Sequence, residues 1–339
     1  MNTPLRFEPF LRPMVWGGRQ LGDVLGKPLP NGGAYGEAWE ISDHPTHASV
    51  ISHGPGKGQT LRQWMEHQPA ALLGETATRH ARFPWLVKLL DAWSWLSVQV
   101  HPNEADVIRL WPGEGSKTEA WFVLAAAPGS RVYAGLLPGV DEKGLRKALR
   151  EGTVGDCLHQ FSPRPGDCVF LPAGTVHAVG GGVLMAEVQQ TSDATFRLFD
   201  WNRRDAQGQM RQLHIEEALA CIHWNGGPIH PVRARHYPGG ADSPSLQPAS
   251  VSVRQRLVDC SYFSLEYIRY SAPFTCGGSG ALQVLLVLHG RGRLWTGEGV
   301  WQLAPGSSLL LPAALDALTC HPEGDLGILL STLPPANAE

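Results

Sequence analysis

One short motif constrains this chain more than anything else, because it occurs twice. Pro165-Gly166-Asp167-Cys168-Val169-Phe170-Leu171-Pro172-Ala173 is matched by Pro305-Gly306-Ser307-Ser308-Leu309-Leu310-Leu311-Pro312-Ala313. Each copy has a turn glycine, an apolar run too short for a helix, and a proline that stops the run. Such a run reads as a buried strand. Two copies predict two related β-units in place of one large sheet. The 39 glycines and 27 prolines among 339 residues agree, since they supply tight turns between short strands.

At roughly 150 residues per domain, the length also predicts two domains. An apolar fraction of 43% is that of a folded chain with real cores. A net charge of −3 gives no electrostatic basis for binding nucleic acid or an anionic membrane. No apolar run reaches the ~18 residues of a membrane span. The opening MNTPLRFEPFLRP has no apolar core of the signal-peptide kind, so no signal peptide is expected. Cys157, Cys168, Cys221, Cys260, Cys276 and Cys320 form no C-x-x-C pair. They read as reduced packing thiols of a cytoplasmic protein.

Along the chain, 1–60 alternates short apolar runs with Gly/Pro turns, and 59–75 has helical spacing. FPWLVKLLDAWSWLSVQV (83–100) reads as two strands about an Asp91-Ala92 turn, and 117–135 as two strands joined through Pro128-Gly129-Ser130. Leu145, Leu149, Val154 and Leu158 sit near helical spacing, which predicts a helical insert over about 139–161. DCVFLPAG, HAVGGGVLMAEVQQ and TFRLFDW read as strands, and HIEEALACI (214–222) as a helix. A Pro/Gly/Ser-rich linker at 236–250 would separate a domain over 1–235 from one over 251–339, where strands resume.

Gln99 and His101 lie two apart on a predicted strand, so both face one side. Glu119 starts a later strand and shares its face with Lys117. His177 follows Pro172 by five residues, at the mouth of the repeat strand. Two imidazoles, a carboxylate and an amide oxygen make a four-donor set suited to a borderline divalent ion such as Zn²⁺. Such a site carries net charge +1 and favours a bound alkoxide or enediolate. The competing reading is structural, since a histidine taken alone is more often a packed or surface group. Arg197, between Phe196 and Leu198, is either a wall salt bridge to Asp200 or Glu187, or a fixed cation placed for an oxyanion.

The repeat, followed closely by His177, resembles the second sequence motif of cupins. LSVQVHP, GSKTEAW, PAGTVHA, GGVLMAEVQQTSDATFRLFDWNR and RQLHIEEAL, with WGGRQLG, GEAWEISDHP and FPWLVKLLDA, resemble class I mannose-6-phosphate isomerases of the short bacterial form. The match is dense over about 5–225 and loose beyond. This resemblance implies a mainly β fold of two cupin (jelly-roll-like) barrels with a helical insert. It implies one Zn²⁺ per chain, held by Gln99, His101, Glu119 and His177. It also implies catalytic roles for Arg197, Lys117 and Glu187, and places Ser97 and Lys88 near the metal and the sugar phosphate. Burying Lys88 or Lys117 requires an anion beside it, from the protein or the substrate.

The activity implied is interconversion of mannose 6-phosphate and fructose 6-phosphate through a cis-enediol(ate). The proton-moving base stays open among Glu187, Lys117 and a metal-activated water. An isomerase of another sugar or phosphosugar, a cupin dioxygenase and a non-catalytic sugar-binding regulator are the competing readings. Gln99 and the Arg197 segment speak against the dioxygenase, and the joint presence of Lys117, Glu119 and Arg197 against the regulator. The expected partner is a small sugar phosphate, with monomer or homodimer left open. In the second copy Ala317 stands where His177 stands in the first, so the C-terminal barrel is expected to be metal-free.

Overall fold

The computed structural model describes residues 1–204, 208–238 and 251–334. Its first half is built on two sheets. The larger runs Val232–Arg233, Asp167–Leu171, Glu119–Ala126, Val183–Gln190, Trp85–Ala92, Tyr35–Ile41 and Phe10–Gly18 in spatial order. The smaller runs Leu158–Phe161, Arg131–Leu136, His177–Gly180, Val98–Val100 and Phe196–Phe199. All pairings in both are antiparallel. The two sheets share one apolar core, in which Leu90, Trp121 and Met185 of the larger meet Val132, Ala134 and Val179 of the smaller. They therefore pack face to face as a jelly-roll barrel.

Strand alternation sorts the remaining apolar residues. Val98, Val100, Phe196 and Leu198 point out of the smaller sheet onto Leu145 and Leu219 of the helices Glu142–Glu151 and Ile215–Cys221. Ala120, Phe122, Ala186 and Val188 point out of the larger sheet onto Phe263, Leu265, Tyr267 and Leu286 of a second barrel. Each fully buried Phe or Leu there contributes about 1.5–3 kcal/mol, so the two barrels are held by a continuous apolar seam.

The second barrel orders Ser252–Asp259, Ser264–Tyr270, Leu318–Thr332, Gln283–Thr296 and Gly299–Leu303, with Phe274–Cys276 and Ser308–Leu311 pairing from the sides. Its interior holds Ile268, Leu285, Leu294, Leu309 and Ile328. The first residues of the chain join it: Leu5 and Leu310 exchange backbone hydrogen bonds of 2.8 and 2.9 Å. The repeated motif is a strand in both barrels, Asp167–Leu171 and Ser308–Leu311. The glycines before them have φ of 89° at Gly166 and 81° at Gly306, which a side chain would strain.

Three expectations need correction, and one helix was not expected. Asp91 and Ala92 are no turn; they end the strand Trp85–Ala92, and the chain reverses after them. Asp91 stays buried in the strand because its carboxylate accepts from the backbone N of Gln20 at 2.7 Å and from Gln20 Nε2 at 3.0 Å. HAVGGGVLMAEVQQ is two strands in different sheets, parted at Gly181 and Gly182, whose φ values are 83° and 89°. The helical insert stops early: after Glu142–Glu151 and a 3-10 turn at Val154–Cys157, Leu158–Phe161 is an edge strand. A helix at Glu104–Leu110, capped by Asn103, went unpredicted. Of the expected linker at 236–250, residues 239–250 lie outside the described residues. All six cysteines are unbridged.

Candidate active site

The smaller sheet lines up three polar side chains. Gln99 lies in register with His177 on one neighbouring strand and with Arg197 on the other, so all three share a face. His101 continues that face two residues on, where Pro102 ends the strand. Glu119 comes from the opposite sheet, at the first position of Glu119–Ala126. His101, Glu119 and His177 are 2%, 0% and 1% exposed, so none of them is solvated.

Their ligand atoms lie within 4.8 Å of one another. His101 donates from Nδ1 to the carbonyl of Ala194 at 2.7 Å, and His177 from Nδ1 to that of Thr175 at 2.9 Å. Those bonds fix the tautomers and leave each Nε2 as a lone pair. The lone pairs face Glu119, with His101 Nε2 at 3.5 Å and His177 Nε2 at 3.2 Å from its oxygens. Acceptors therefore face acceptors. His101 Nε2 and Glu119 Oε1 are buried without a hydrogen-bond donor, and Glu119 Oε2 meets the Lys117 ammonium at 3.1 Å. Leaving such groups unsatisfied costs about 1–3 kcal/mol each. A cation among them reverses that cost, so the donor set fits a metal ion. The Gln99 amide lies beside the cluster, with its Nε2 donating to His177 Nε2 at 3.2 Å and its Oε1 accepting from Ser97 Oγ at 3.3 Å.

The electrostatics keep the donors ready for a metal. Burial, reinforced by Lys117, pushes the His101 imidazole down to about 3. Burial likewise lowers His177. Burial alone would raise the Glu119 carboxyl, but Lys117 and His101 hold it well below the usual carboxylate range. Near neutral pH the cluster is two neutral imidazoles and one carboxylate.

Both buried lysines meet protein carboxylates. Lys117 Nζ lies 3.1 Å from Glu119 Oε2, and Lys88 Nζ 3.1 Å from Glu187 Oε1. Trp121 Nε1 donates to the other Glu187 oxygen at 3.1 Å. Burial works against the Lys88 ammonium, but Glu187 and Glu37 raise its pKa above the ordinary value. Burial raises the Glu187 carboxyl, and Lys88 opposes it.

Arg197 pairs with neither carboxylate weighed from the sequence. Asp200 is taken by Arg203 and Arg211. Arg197 Nη1 donates to the carbonyl of Gln212 at 2.8 Å, its Nε is buried without a partner, and no described carboxylate forms an ion pair with it.

Gln99, Lys88, Lys117, Glu187, Arg197 and Ser97 line one cavity of about 250 Å³. Sequence reasoning missed several further wall residues: Arg12, Glu37, Asp193, Arg211 and His214. Arg12 bridges Glu37 at 3.0 Å and Asp193 at 3.3 Å. Glu37 and Asp193 stood inside the matched segments GEAWEISDHP and TSDATF, which was the available signal; nothing local marked Arg12. Among the described residues, His101, Glu119 and His177 form the one cluster of three or more His, Cys, Asp or Glu side chains close enough to share a metal.

A jelly-roll barrel with two buried histidines and a glutamate gathered next to Gln99 and Lys117 of a cation-lined pocket defines a cupin with a site suited to a metal ion. The comparisons make the class specific. The family described as phosphomannose isomerase type I, catalytic domain, matches residues 5–121. The mannose-6-phosphate isomerase ManA of Bacillus subtilis is 33% identical over 93% of this chain and 94% of its own length. A mannose-6-phosphate isomerase of Streptococcus mutans is 33% identical over 98% of each. The crystal structure of the Bacillus subtilis mannose 6-phosphate isomerase superposes with a TM-score of 0.81 at 26% identity, covering 97% of this chain and 99% of that one. The chain belongs to the mannose-6-phosphate isomerase family, a family of intramolecular oxidoreductases.

Proposed function

We propose that the protein interconverts mannose 6-phosphate and fructose 6-phosphate in a zinc-dependent reaction that passes through a cis-enediol(ate). The observation that carries this reading is the convergence of buried acceptors, His101 Nε2, His177 Nε2 and the Glu119 carboxylate, beside a pocket lined by Lys88, Lys117 and Arg197. Gln99, His101, Glu119 and His177 would hold the ion, and two imidazoles with oxygen donors suit Zn²⁺. When bound, the ion supplies Lewis-acid stabilisation of negative charge on the sugar's O1 and O2.

The chain's own groups do the rest. Arg197, free of any described carboxylate, holds the developing enediolate charge. Glu187 and Lys117 both line the pocket, and either can carry the proton between C1 and C2. Trp121 and Lys88 hold Glu187 in place from two sides. Ser97 fixes the Gln99 amide. Lys88 is the buried cation at the pocket wall placed for the anionic substrate.

A coupled assay comparing mannose 6-phosphate, free mannose and other aldose phosphates tests the reading, with metal content measured on the same samples. Turnover confined to mannose 6-phosphate and proportional to zinc supports it. Run in D₂O, an enediol route leaves deuterium at C1 of fructose 6-phosphate. Turnover undiminished after full removal of metal would refute the metal-dependent part.

A further inference from the structure

Lys117 reaches the catalytic pocket from a segment that packing alone does not hold. A separate cavity of about 410 Å³ lies against the two residues before it, lined by Gly115, Ser116, Gln190, Thr191 and Tyr262 among others. Hydrogen bonds hold the segment instead. Gln190 grips the residues on both sides of Lys117: its Nε2 donates to Ser116 Oγ at 2.8 Å, and its Oε1 accepts from the backbone N of Thr118 at 2.8 Å. Ser116 Oγ donates in turn to Glu104 Oε1 at 2.8 Å. The backbone N of Lys117 itself donates to the carbonyl of Pro102 at 3.1 Å, which ties the segment to the stretch that follows His101.

A further donor to Glu104 comes from the second barrel. Tyr262 lies in the turn between Ser252–Asp259 and Ser264–Tyr270, and its hydroxyl donates to the same Glu104 Oε1. The carbonyl of Tyr262 accepts from Trp85 Nε1 at 3.0 Å, and Trp85 is the register partner of Gln190. The contacts therefore close a circuit: Trp85 to Tyr262, Tyr262 to Glu104, Ser116 to Glu104, Gln190 to Ser116, and Gln190 back to Trp85. Burial works against the Glu104 carboxylate, but the hydrogen bonds from Tyr262 and Ser116 bring its pKa below the ordinary value. Burial and Glu104 push the Tyr262 phenol up to about 12, so it stays protonated and donates at neutral pH. A hydrogen bond to a charged acceptor is of the stronger kind.

Removing one member of such a circuit loosens the segment it holds without unfolding the sheets around it. We infer that Tyr262 is a positioning residue for Lys117: through Glu104 and Ser116, the second barrel sets the place of an active-site lysine in the first. The effect on turnover rests on the proposed role of Lys117 in the reaction. The effect on the Lys117 backbone does not, so the two can be read separately.

Amide hydrogen exchange in the full chain tests this, comparing wild type with Tyr262→Phe, which removes one hydroxyl and keeps the ring. The dipeptides Ser116-Lys117 and Val87-Lys88 each occur once, so ¹⁵N-lysine combined with carbonyl-labelled serine or valine picks out either lysine amide without further mutation. Lys88, in the strand Trp85–Ala92, reports on the stability of the sheet as a whole. The expected result is exchange at Lys117 about tenfold faster in Tyr262→Phe with Lys88 unchanged. On the same protein kcat falls by about tenfold while KM holds, because a displaced lysine is felt in the proton transfer. Unchanged exchange at Lys117 overturns the inference, and so does equal acceleration at Lys117 and Lys88, which marks a general loss of stability. Faster exchange at Lys117 alone with normal kcat upholds the positioning and removes Lys117 from the proposed reaction.

Discussion

Arg197 and Gln99 are cross-strand neighbours, and Arg197 has no ion-pair partner among the described carboxylates. The sheet register sets the guanidinium beside the candidate metal ligands, and Arg203 and Arg211 leave it unpaired by taking Asp200. If its charge serves the transition state, Arg197→Ala lowers kcat by about 10²–10³ with little change in KM. Arg197→Lys recovers part of that, because an ammonium lacks the planar fork. Zinc content and Tm stay near wild type, since no carboxylate is orphaned by the change. Steady-state kinetics normalised to zinc-loaded folded protein checks this, and near-normal kcat would rule the role out.

Metal content follows the two histidines. His101→Ala or His177→Ala removes one donor from a four-donor set and is expected to cost most of the bound zinc at equal total metal. Elemental analysis after gel filtration reads the outcome directly. Full occupancy in the His177→Ala protein would be incompatible with the assignment.

The pair Lys88 and Glu187 separates stability from chemistry. The two are register partners on adjacent strands, 3.1 Å apart and almost wholly buried. Lys88→Met leaves a buried carboxylate without its cation and is expected to destabilise by about 3–5 kcal/mol. Adding Glu187→Leu removes the stranded charge and restores much of the Tm, while activity stays lost. Chemical denaturation of the three variants, set beside their turnover, tests both halves; recovered activity in the double variant would exclude either residue from catalysis.

Acid acts on the seam between the barrels through His289. Tyr267 Oη lies 2.8 Å from its Nε2, and burial, with Arg269 opposing protonation and Asp325 favouring it, lowers its pKa to about 4. A histidine depressed in the folded state takes up its proton more readily when unfolded. Its contribution to stability is therefore present above about pH 6.5 and is lost as pH falls towards 4. The wild type should lose of order 2 kcal/mol over that window from this group, and His289→Asn should show a flatter dependence there. Urea unfolding at half-unit pH steps measures it; parallel pH profiles for the two proteins would show that His289 does not contribute.

Much of this molecule is local information. A strand period of two puts Gln99 and His101 on one face whatever surrounds them, and Gly166 and Gly306 mark the same turn in two barrels. The near-continuous apolar run of FPWLVKLL suits a strand buried on both faces, and Trp85–Ala92 is buried at every position. Pairing across long sequence distance is a different matter. Asp91 looked like a turn residue because its partner, Gln20, lies 71 positions away. Arg197 looked ready to pair with Asp200, three residues on. Arg203 and Arg211 reach that carboxylate first, and this is what leaves Arg197 free. Arg12 entered the pocket without any local mark, through contacts with Glu37 and Asp193. Residue type and spacing determine which face a side chain takes. Which charges meet is decided by sheet register, because a carboxylate binds the nearest cation that folding delivers, irrespective of its place in the chain.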